Sequence, residues 1–454
     1  MKRLKIVVIG AGSAQFGRGM IVDVLACQEL RDYDVTFSLV DINKDALNLM
    51  FRFAQKVKEN FSSPVEIQAE TDRIRALPGA DYVVVSVAQN RWDLWEKDFY
   101  IPIAYGFKHV YGENGGPGAA FHTLRSLHLM IPICRDMERL CPEALLMNFT
   151  NPESRVCLAI SRFTSLRAVG LCHGPVSTLK KTAEILGRRP EDIDLTVGGI
   201  NHFHWVLGVA DRSGNDLFPE FQQRLKDPSL PLDVFTRKMV DVFGLLTYPA
   251  PSHPEEYVPY AFHLTGPYLF KWGIGRIARR PGLTIEDREF TIEGEHNQPS
   301  YEVWCAEQAK VIAEAVEGTG TLQPEILETT EELALPLICD IVLDRKRKEL
   351  SGNVVNRGGL IANLPEDAIV EVPLMADAGG IHPIAVGPIP EGIAGICRLQ
   401  ISIQNLLVDA YQERSKRLLL QALLLEPVVD DVDRAEEMME VMIKAQGPYL
   451  PEMR

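Results

Sequence analysis

Six apolar runs in the first 171 residues, most of them rich in β-branched side chains, alternate with amphipathic stretches of helical length. They read KIVVIGAG, VTFSLVDIN, VEIQAE, DYVVVSVA, ALLMNFTNP and LRAVGLCHG. Helices are expected between them from about Met20, through ALNLMFRFAQKV, and over 121–140. Continuous apolar strands separated by helices bury both of their faces, and a parallel sheet wound with helices on each side achieves this with short connections. From EDIDLTVGGINHFHWVLGVAD onward the texture changes to strands that look antiparallel, with Gly and Asp turns, and then to helices expected at about 300–318 and 328–350. The reading is an α/β protein with a doubly wound parallel sheet over 1–196 and an α+β unit over 197–454.

A formal net charge of −15, spread along the chain rather than gathered in a tail, argues against nucleic acid or anionic membrane as partner and leaves small molecules and proteins. The basic opening MKRLKIVVIGAG has the start of a signal peptide but neither its length nor a small-residue cleavage site. No stretch approaches the ~18 uninterrupted apolar residues of a spanning helix, so a soluble, cytoplasmic protein is expected. Eight cysteines without CxxC pairing are expected as free thiols, most of them buried filler unless one binds metal.

The chemistry-bearing residues cluster where strands end. VVIGAGSAQFG places Gly10, Gly12 and Ser13 between a strand and a helix, where backbone N–H groups can face a pyrophosphate; Gln15 occupies the third glycine position and Gly17 follows two residues later. Asp41, closing the second run, can accept both ribose hydroxyls of NAD and would repel the phosphate of NADP, or else cap a helix. Ser86, Gln89 and Asn90 follow another strand, next to Arg91, a cation for an acidic substrate or merely a solvated one. Glu113 and Asn114 precede GGPG, and Asn148 and Asn151 flank a turn before Pro152; each is a candidate for sugar hydroxyls or an ordinary turn residue. Cys172 in GLCHGP and His202 in GGINHFHW could together hold a divalent metal with open positions for substrate oxygens. Taken singly, each is as well read as a buried thiol and a structural histidine.

In order along the chain, IGAGS, VDIN, GGPGAAFHTLRS, NFTNP, GLCHG, GINHFHW, SHPEEYVPY and ADAGGIHPIAVGPIP resemble glycoside hydrolase family 4, the NAD- and metal-dependent glycosidases. The resemblance implies a Rossmann-like N-terminal half and NAD with Mn2+ or another divalent cation as cofactors. It implies Cys172 and His202 as metal ligands, Asn148 in contact with the sugar, and His173 close to the glycosidic oxygen. It also implies a reaction outside the usual two-carboxylate glycosidase mechanism. The sugar is oxidised at C3, its C2 proton is removed, the C1 substituent is eliminated, water adds, and C3 is reduced again.

His173 is the residue that family members acting on unphosphorylated sugars carry, where phosphosugar-cleaving members carry Asp. A hexoside or hexuronide substrate is therefore expected, and the Gly174-Pro175 sequel leaves the glycone open. Relatives put Asp, Glu or Tyr as C2 base where this chain has Ser252, so Tyr257 is taken first for that role, ahead of Glu256, His253 or a metal-bound hydroxide. The expected catalytic set is thus Tyr257, His173 and Glu113, with Asn148, Asn151, Arg91 and Asn114 on the substrate and Gly10, Gly12, Ser13, Asp41, Ser86 and Gln89 on the nucleotide. A lactate/malate-type dehydrogenase and a silent NAD-binding sensor are the competing readings. Met-rich RAEEMMEVMIKA suggests a homo-oligomer, a dimer or tetramer, or a helix packed on its own domain.

Overall fold

Alternate residues of the central strands, buried on both faces, enter two separate cores and so set the layers of the molecule. The computed structural model describes residues 2–250, 253–265, 284–285, 288–289, 301–318 and 322–454. Strands β1 (Lys2–Ile9), β2 (Tyr33–Val40), β3 (Glu66–Glu70), β4 (Tyr82–Val85), β5 (Leu145–Asn148) and β6 (Arg167–Gly170) are parallel and lie in the order β3-β2-β1-β4-β5-β6. That is the doubly wound, Rossmann-like arrangement. Val7, Val83, Val85 and Leu146 point into one core, and Ile6, Val8, Val84 and Met147 into the other. Each such fully buried side chain contributes roughly 1.5–3 kcal/mol.

The crossovers are helices α1 (Phe16–Ala26), α2 (Lys44–Phe61), α3 (Arg73–Ala76), α4 (Arg91–Ala104), α5 (Gly116–Leu140), α6 (Glu153–Phe163) and α7 (Gly174–Leu186). Three depart from the sequence expectation. α1 starts four residues before Met20, because the Ser13 hydroxyl accepts the Phe16 N–H at 3.1 Å and starts the turn early. α5 begins at Gly116 rather than 121, and α4 occupies a stretch whose polar and aromatic mixture looks like loop. The aromatic face of α4 is what orders it: Trp95 and Phe99 stack with ring centroids 5.4 Å apart, and Phe99 is fully buried.

Beyond α7 the sheet continues. β7 (Ile193–Ile200) and β8 (Phe203–Asp211) form an antiparallel hairpin. β9 (Thr284–Ile285) and β10 (Arg288–Glu289) form a separate two-stranded ribbon, and β11 (Arg347–Val355), β12 (Ile369–Asp377) and β13 (Gly380–Pro383) follow. β11 and β12 insert between β6 and β7, so one eleven-stranded sheet spans both halves of the chain. The joins are narrow, with Asn353 opposite Gly170 and Glu371 opposite Gly199. Residue 196 lies inside β7. The helix expected over 328–350 is limited to Ala334–Val342, because Asp344 and Lys346 take left-handed φ values of 52° and 53° and turn the chain into β11. In the C-terminal helix Val432–Gln446, Met438, Met439 and Met442 are buried in the chain's own core, so the methionine stripe needs no second subunit. Among the described residues no helix is long and apolar enough to cross a membrane.

Candidate active site

The glycine-rich turn is shaped by steric necessity. Gly10 has φ +95°, and a Cβ there would lie 1.9 Å from the Ser86 carbonyl oxygen, so only glycine lets β1 and the β4 exit approach so closely. A Cβ on Gly12 would meet the Asp41 carboxylate at 2.7 Å, and one on Gly17 would meet the Ala11 carbonyl oxygen at 2.2 Å. Gly17 therefore does the close helix–strand packing that the third glycine of the usual fingerprint does, two residues later than the pattern places it. Asp41 accepts the Gly12 N–H at 2.8 Å and the Asn43 N–H at 2.8 Å. Asn43, not Asp41, caps α2, its side chain accepting from Asp45 and Ala46.

At the carboxyl ends of β1, β2, β4 and β5 opens a cavity of about 620 Å³, the crevice where ligands of doubly wound sheets bind. Gly10, Ser13, Asp41, Ser86, Gln89, Arg91, Glu113 and Asn151 line it. Each arginine on its wall is paired. Arg73 meets Asp136 at 2.8 Å, Arg91 meets Glu113 at 3.3 Å, and Arg125 meets Asp98, with Nη1 to Oδ1 at 3.0 Å. Arg125, Asp98 and His122 are wall residues that sequence reasoning missed. The signal for two of them lay within AAFHTLRS, where His122 and Arg125 stand three apart and so share a helix face. His122 donates its Nδ1–H to the Glu113 carbonyl, 2.8 Å away, and burial pushes its imidazole down to about 3, so the ring is neutral.

The second cluster lies past β6 and at the β7–β8 turn. Cys172 accepts the Gly174 N–H at 3.3 Å, and burial together with the charges of Glu371 and Glu153 pushes its thiol well above the usual range. His202 is buried with φ 63°, a backbone conformation that L side chains rarely adopt, and its Nδ1 has no hydrogen-bond partner. The Tyr248 ring lies 6.0 Å from His202, and burial holds its phenol protonated. The side-chain polar atoms of Asn201 are buried too, against the Cys172 sulfur. An unpartnered imidazole nitrogen beside a buried thiol and buried carboxyl groups fits a divalent cation, which would satisfy His202 and favour the thiolate of Cys172 and the carboxylate of Glu153. His204, the other histidine of GINHFHW, is excluded as a ligand by its own bonds. Its Nδ1 meets Glu371 at 2.9 Å and its Nε2 meets Thr178 at 2.8 Å.

Glu256 joins the two clusters. Its carboxylate accepts the N–H of Glu113 at 2.6 Å and of Asn114 at 3.0 Å, fixing the loop ahead of α5 against the turn Pro254–Tyr257. Burial and the Glu113 charge outweigh those bonds and push Glu256 up to about 8. Tyr257 does not fit the part of a proton acceptor. Its hydroxyl donates to the Asn201 carbonyl at 3.1 Å, its ring packs 5.6 Å from Phe203, and burial pushes the phenol well above its ordinary value. It braces the residue before His202. Asn148, expected on the sugar, is fully buried and closes a turn, its amide donating to the Thr150 carbonyl and its oxygen accepting the Thr150 N–H, both at 3.1 Å. His253 stands edge-on to His202, ring centroids 4.4 Å apart, and is only half-buried. His173 is exposed and lies 3.9 Å from Glu332, whose carboxyl burial pushes up to about 7. Ser252 lies outside the described residues.

Comparison with known proteins agrees with this arrangement. Over 98% of both chains, the protein is 34% identical to the alpha-glucosidase of Erwinia rhapontici. It is 29% identical to the alpha-galactosidase of Bacillus subtilis, over 99% of this chain and 100% of that one. The fold superposes with a TM-score of 0.78 and 22% identity, over 100% of each chain, on a 6-phospho-alpha-glucosidase from gut microorganisms crystallised with NAD and Mn2+. Residues 5–188 match the profile of family 4 glycosyl hydrolases and residues 197–429 that of their C-terminal domain, the two meeting on either side of the start of β7. Matches over both halves set aside the simple dehydrogenase reading: the chain belongs to glycosyl hydrolase family 4.

Proposed function

We propose that the protein is a redox-assisted glycosidase that hydrolyses an unphosphorylated hexoside, using NAD and a divalent cation such as Mn2+. The observation that carries the choice of sugar is that Arg73, Arg91 and Arg125 on the cavity wall are each paired with a carboxylate. A phosphate dianion would have to displace one of those partners, whereas sugar hydroxyls need only the neutral donors and acceptors around them. The imidazole of His173, held below its ordinary value by burial, supplies no fixed positive charge either. Relatives named alpha-glucosidase and alpha-galactosidase support the same reading.

When bound, NAD and the cation supply reversible hydride removal from a sugar carbon and polarisation of the neighbouring oxygens. In this reading Gly10, Gly12, Ser13, Ser86 and Gln89 seat the nucleotide, and the Asp41 carboxylate accepts ribose hydroxyls and excludes a 2′-phosphate. Cys172 and His202 hold the cation, Tyr257 and Asn201 orient His202, and Glu113, Asn114, Asn151 and Arg91 face the sugar. In this reading the His253 imidazole, its ring centroid 4.4 Å from that of His202, takes the C2 proton, and His173, beside Glu332, returns a proton to the departing alcohol. Residues 1–196 thus provide the nucleotide side and share the sugar side with residues 197–454, which bring His202 and His253.

The test is a panel of nitrophenyl hexosides, hexuronides and hexoside 6-phosphates assayed with NAD, manganese and a reductant. Preference for a neutral hexoside by at least about tenfold in kcat/KM is expected, and preference for the 6-phosphate overturns the assignment. Hydrolysis at full rate after complete removal of NAD would sink the redox mechanism.

A further inference from the structure

Far from the cleft, at the opposite end of α1, three ligand-type side chains converge. Cys27 closes the C-terminus of α1, Glu29 follows two residues later, and Cys339 comes from the helix Ala334–Val342. One ligand atom from each lies within 4.8 Å of the others, and the two sulfurs are 3.8 Å apart. An eleven-residue helix separates this cluster from the glycine-rich turn, about 16 Å along the axis.

We propose that Cys27, Cys339 and Glu29 form a second metal site, for a tetrahedral thiophilic cation of the zinc type, that clips α1 to the helix Ala334–Val342.

The geometry fits the ion. Two thiolates each ~2.3 Å from a tetrahedral zinc stand about 3.8 Å apart, the separation found between Cys27 and Cys339. The Cys339 thiol 3.8 Å away, with the backbone N–H groups of Glu29 and Leu30, favours a thiolate at Cys27, and a cation would take the place of the proton that Cys339 keeps. Arg345 binds one oxygen of Glu29, Nη2 to Oε1 at 2.8 Å, leaving the other for the cation and fixing the carboxylate as an outer partner does. Two thiolates and a carboxylate are balanced in charge by a divalent ion together with that guanidinium. Three protein ligands leave a fourth position for water.

The clip has a mechanical setting. Asp23, one turn earlier on α1, accepts the Thr330 N–H at 2.6 Å and also the Thr330 hydroxyl, while Arg18 donates to the Ile326 and Glu328 carbonyls, both at 3.2 Å. The segment that leads into the helix Ala334–Val342 is thus laid along α1, and a metal at Cys27 and Cys339 fastens its end across a sequence separation of 312 residues. Ties that close long loops restrict the unfolded chain most. Glu332, beside His173, belongs to the same segment.

The experiment uses the full chain carrying Cys172→Ser, which takes the active-site thiolate out of the readout. Titration with cobalt(II) is expected to give near-ultraviolet thiolate-to-metal absorption that saturates at one equivalent and is displaced by zinc. Adding Cys27→Ser or Cys339→Ser to that background removes the band, and Glu29→Gln keeps it while weakening zinc by about tenfold. In the unmodified chain, alkylation followed by peptide mapping reads the same site without relying on any variant to fold. Zinc is expected to protect Cys27 and Cys339 together. Labelling of both thiols that zinc leaves unchanged, or their recovery as a disulfide from zinc-loaded protein under reducing conditions, overturns the proposal. Neither readout depends on glycosidase activity.

Discussion

At the nucleotide end of the cleft every polar group that shapes the turn already has a partner: Asp41 accepts from Gly12 and Asn43, and Ser13 from Phe16. At the sugar end, His202 Nδ1 is buried with none among the described residues. The first region is finished by its own backbone and waits for a ligand as a shape. The second is incomplete as a set of charges and lone pairs, and folding leaves it to be completed by something bound. Buried polar atoms without partners cost about 1–3 kcal/mol each, so the sugar end carries a cost that the nucleotide end does not.

The largest effect should come from taking away the ligands of the unfinished region. Cys172→Ala and His202→Ala are expected to lower kcat/KM by about 10³-fold or more, since several kcal/mol of charge stabilisation go with the cation. NAD affinity, read by fluorescence titration, should stay within about threefold. A parallel loss of NAD binding would break the separation between the two ends. Next comes His253→Ala, expected to lower kcat by about 10²-fold, against Tyr257→Phe, expected to leave kcat within about threefold and cost about 1 kcal/mol in a urea melt. If Tyr257→Phe is the more damaging to kcat, the phenol, not the imidazole, takes the proton.

Within the finished region the expected losses are smaller and fall on affinity. Asp41→Asn should weaken NAD by about tenfold, the worth of one charge-assisted bond, and narrow the preference over NADP. The remaining effect falls on stability rather than on catalysis and is read as a pH dependence. Glu256 is held at about 8 in the folded chain, against an ordinary value of 4.5. The folded state therefore keeps a proton that the unfolded chain gives up, and its stability falls as pH rises through that window. Melting temperatures measured from pH 5 to 8 should decline in the parent chain and decline less in Glu256→Gln.

The same division explains what could be read from the chain alone. Gly10, Gly12 and Asp41 were legible because a tight turn needs glycine whatever surrounds it, and the strand periodicity marked β1 to β6 without reference to anything distant. Gly17 stands outside the usual spacing, and only the Ala11 carbonyl pressed against it reveals its role. Tyr257 and Asn148 were assigned chemistry because their residue types permit it. Their hydroxyl and amide are spent on main-chain partners, Asn201 and Thr150, and no local pattern records such a choice. The first four residues of β11 read as the end of a helix because an Arg/Lys-rich segment suits either element, and the strand's pairing partners, Gly170 and Glu371 with their neighbours, lie far off in sequence.

The placement of β11 and β12 between β6 and β7 bears on how the protein is made. Synthesis delivers Cys172 and His202 early, at the ends of β6 and β7, but those strands are bridged by residues 347–377. A nascent chain can assemble the parallel half first, as domains made early do, and still have no sheet on which to bring the thiol and the imidazole together. On the proposed assignment the two ligands are therefore brought together only after residues 347–377 have been made, so a shorter nascent chain cannot trap a cation on a half-built site.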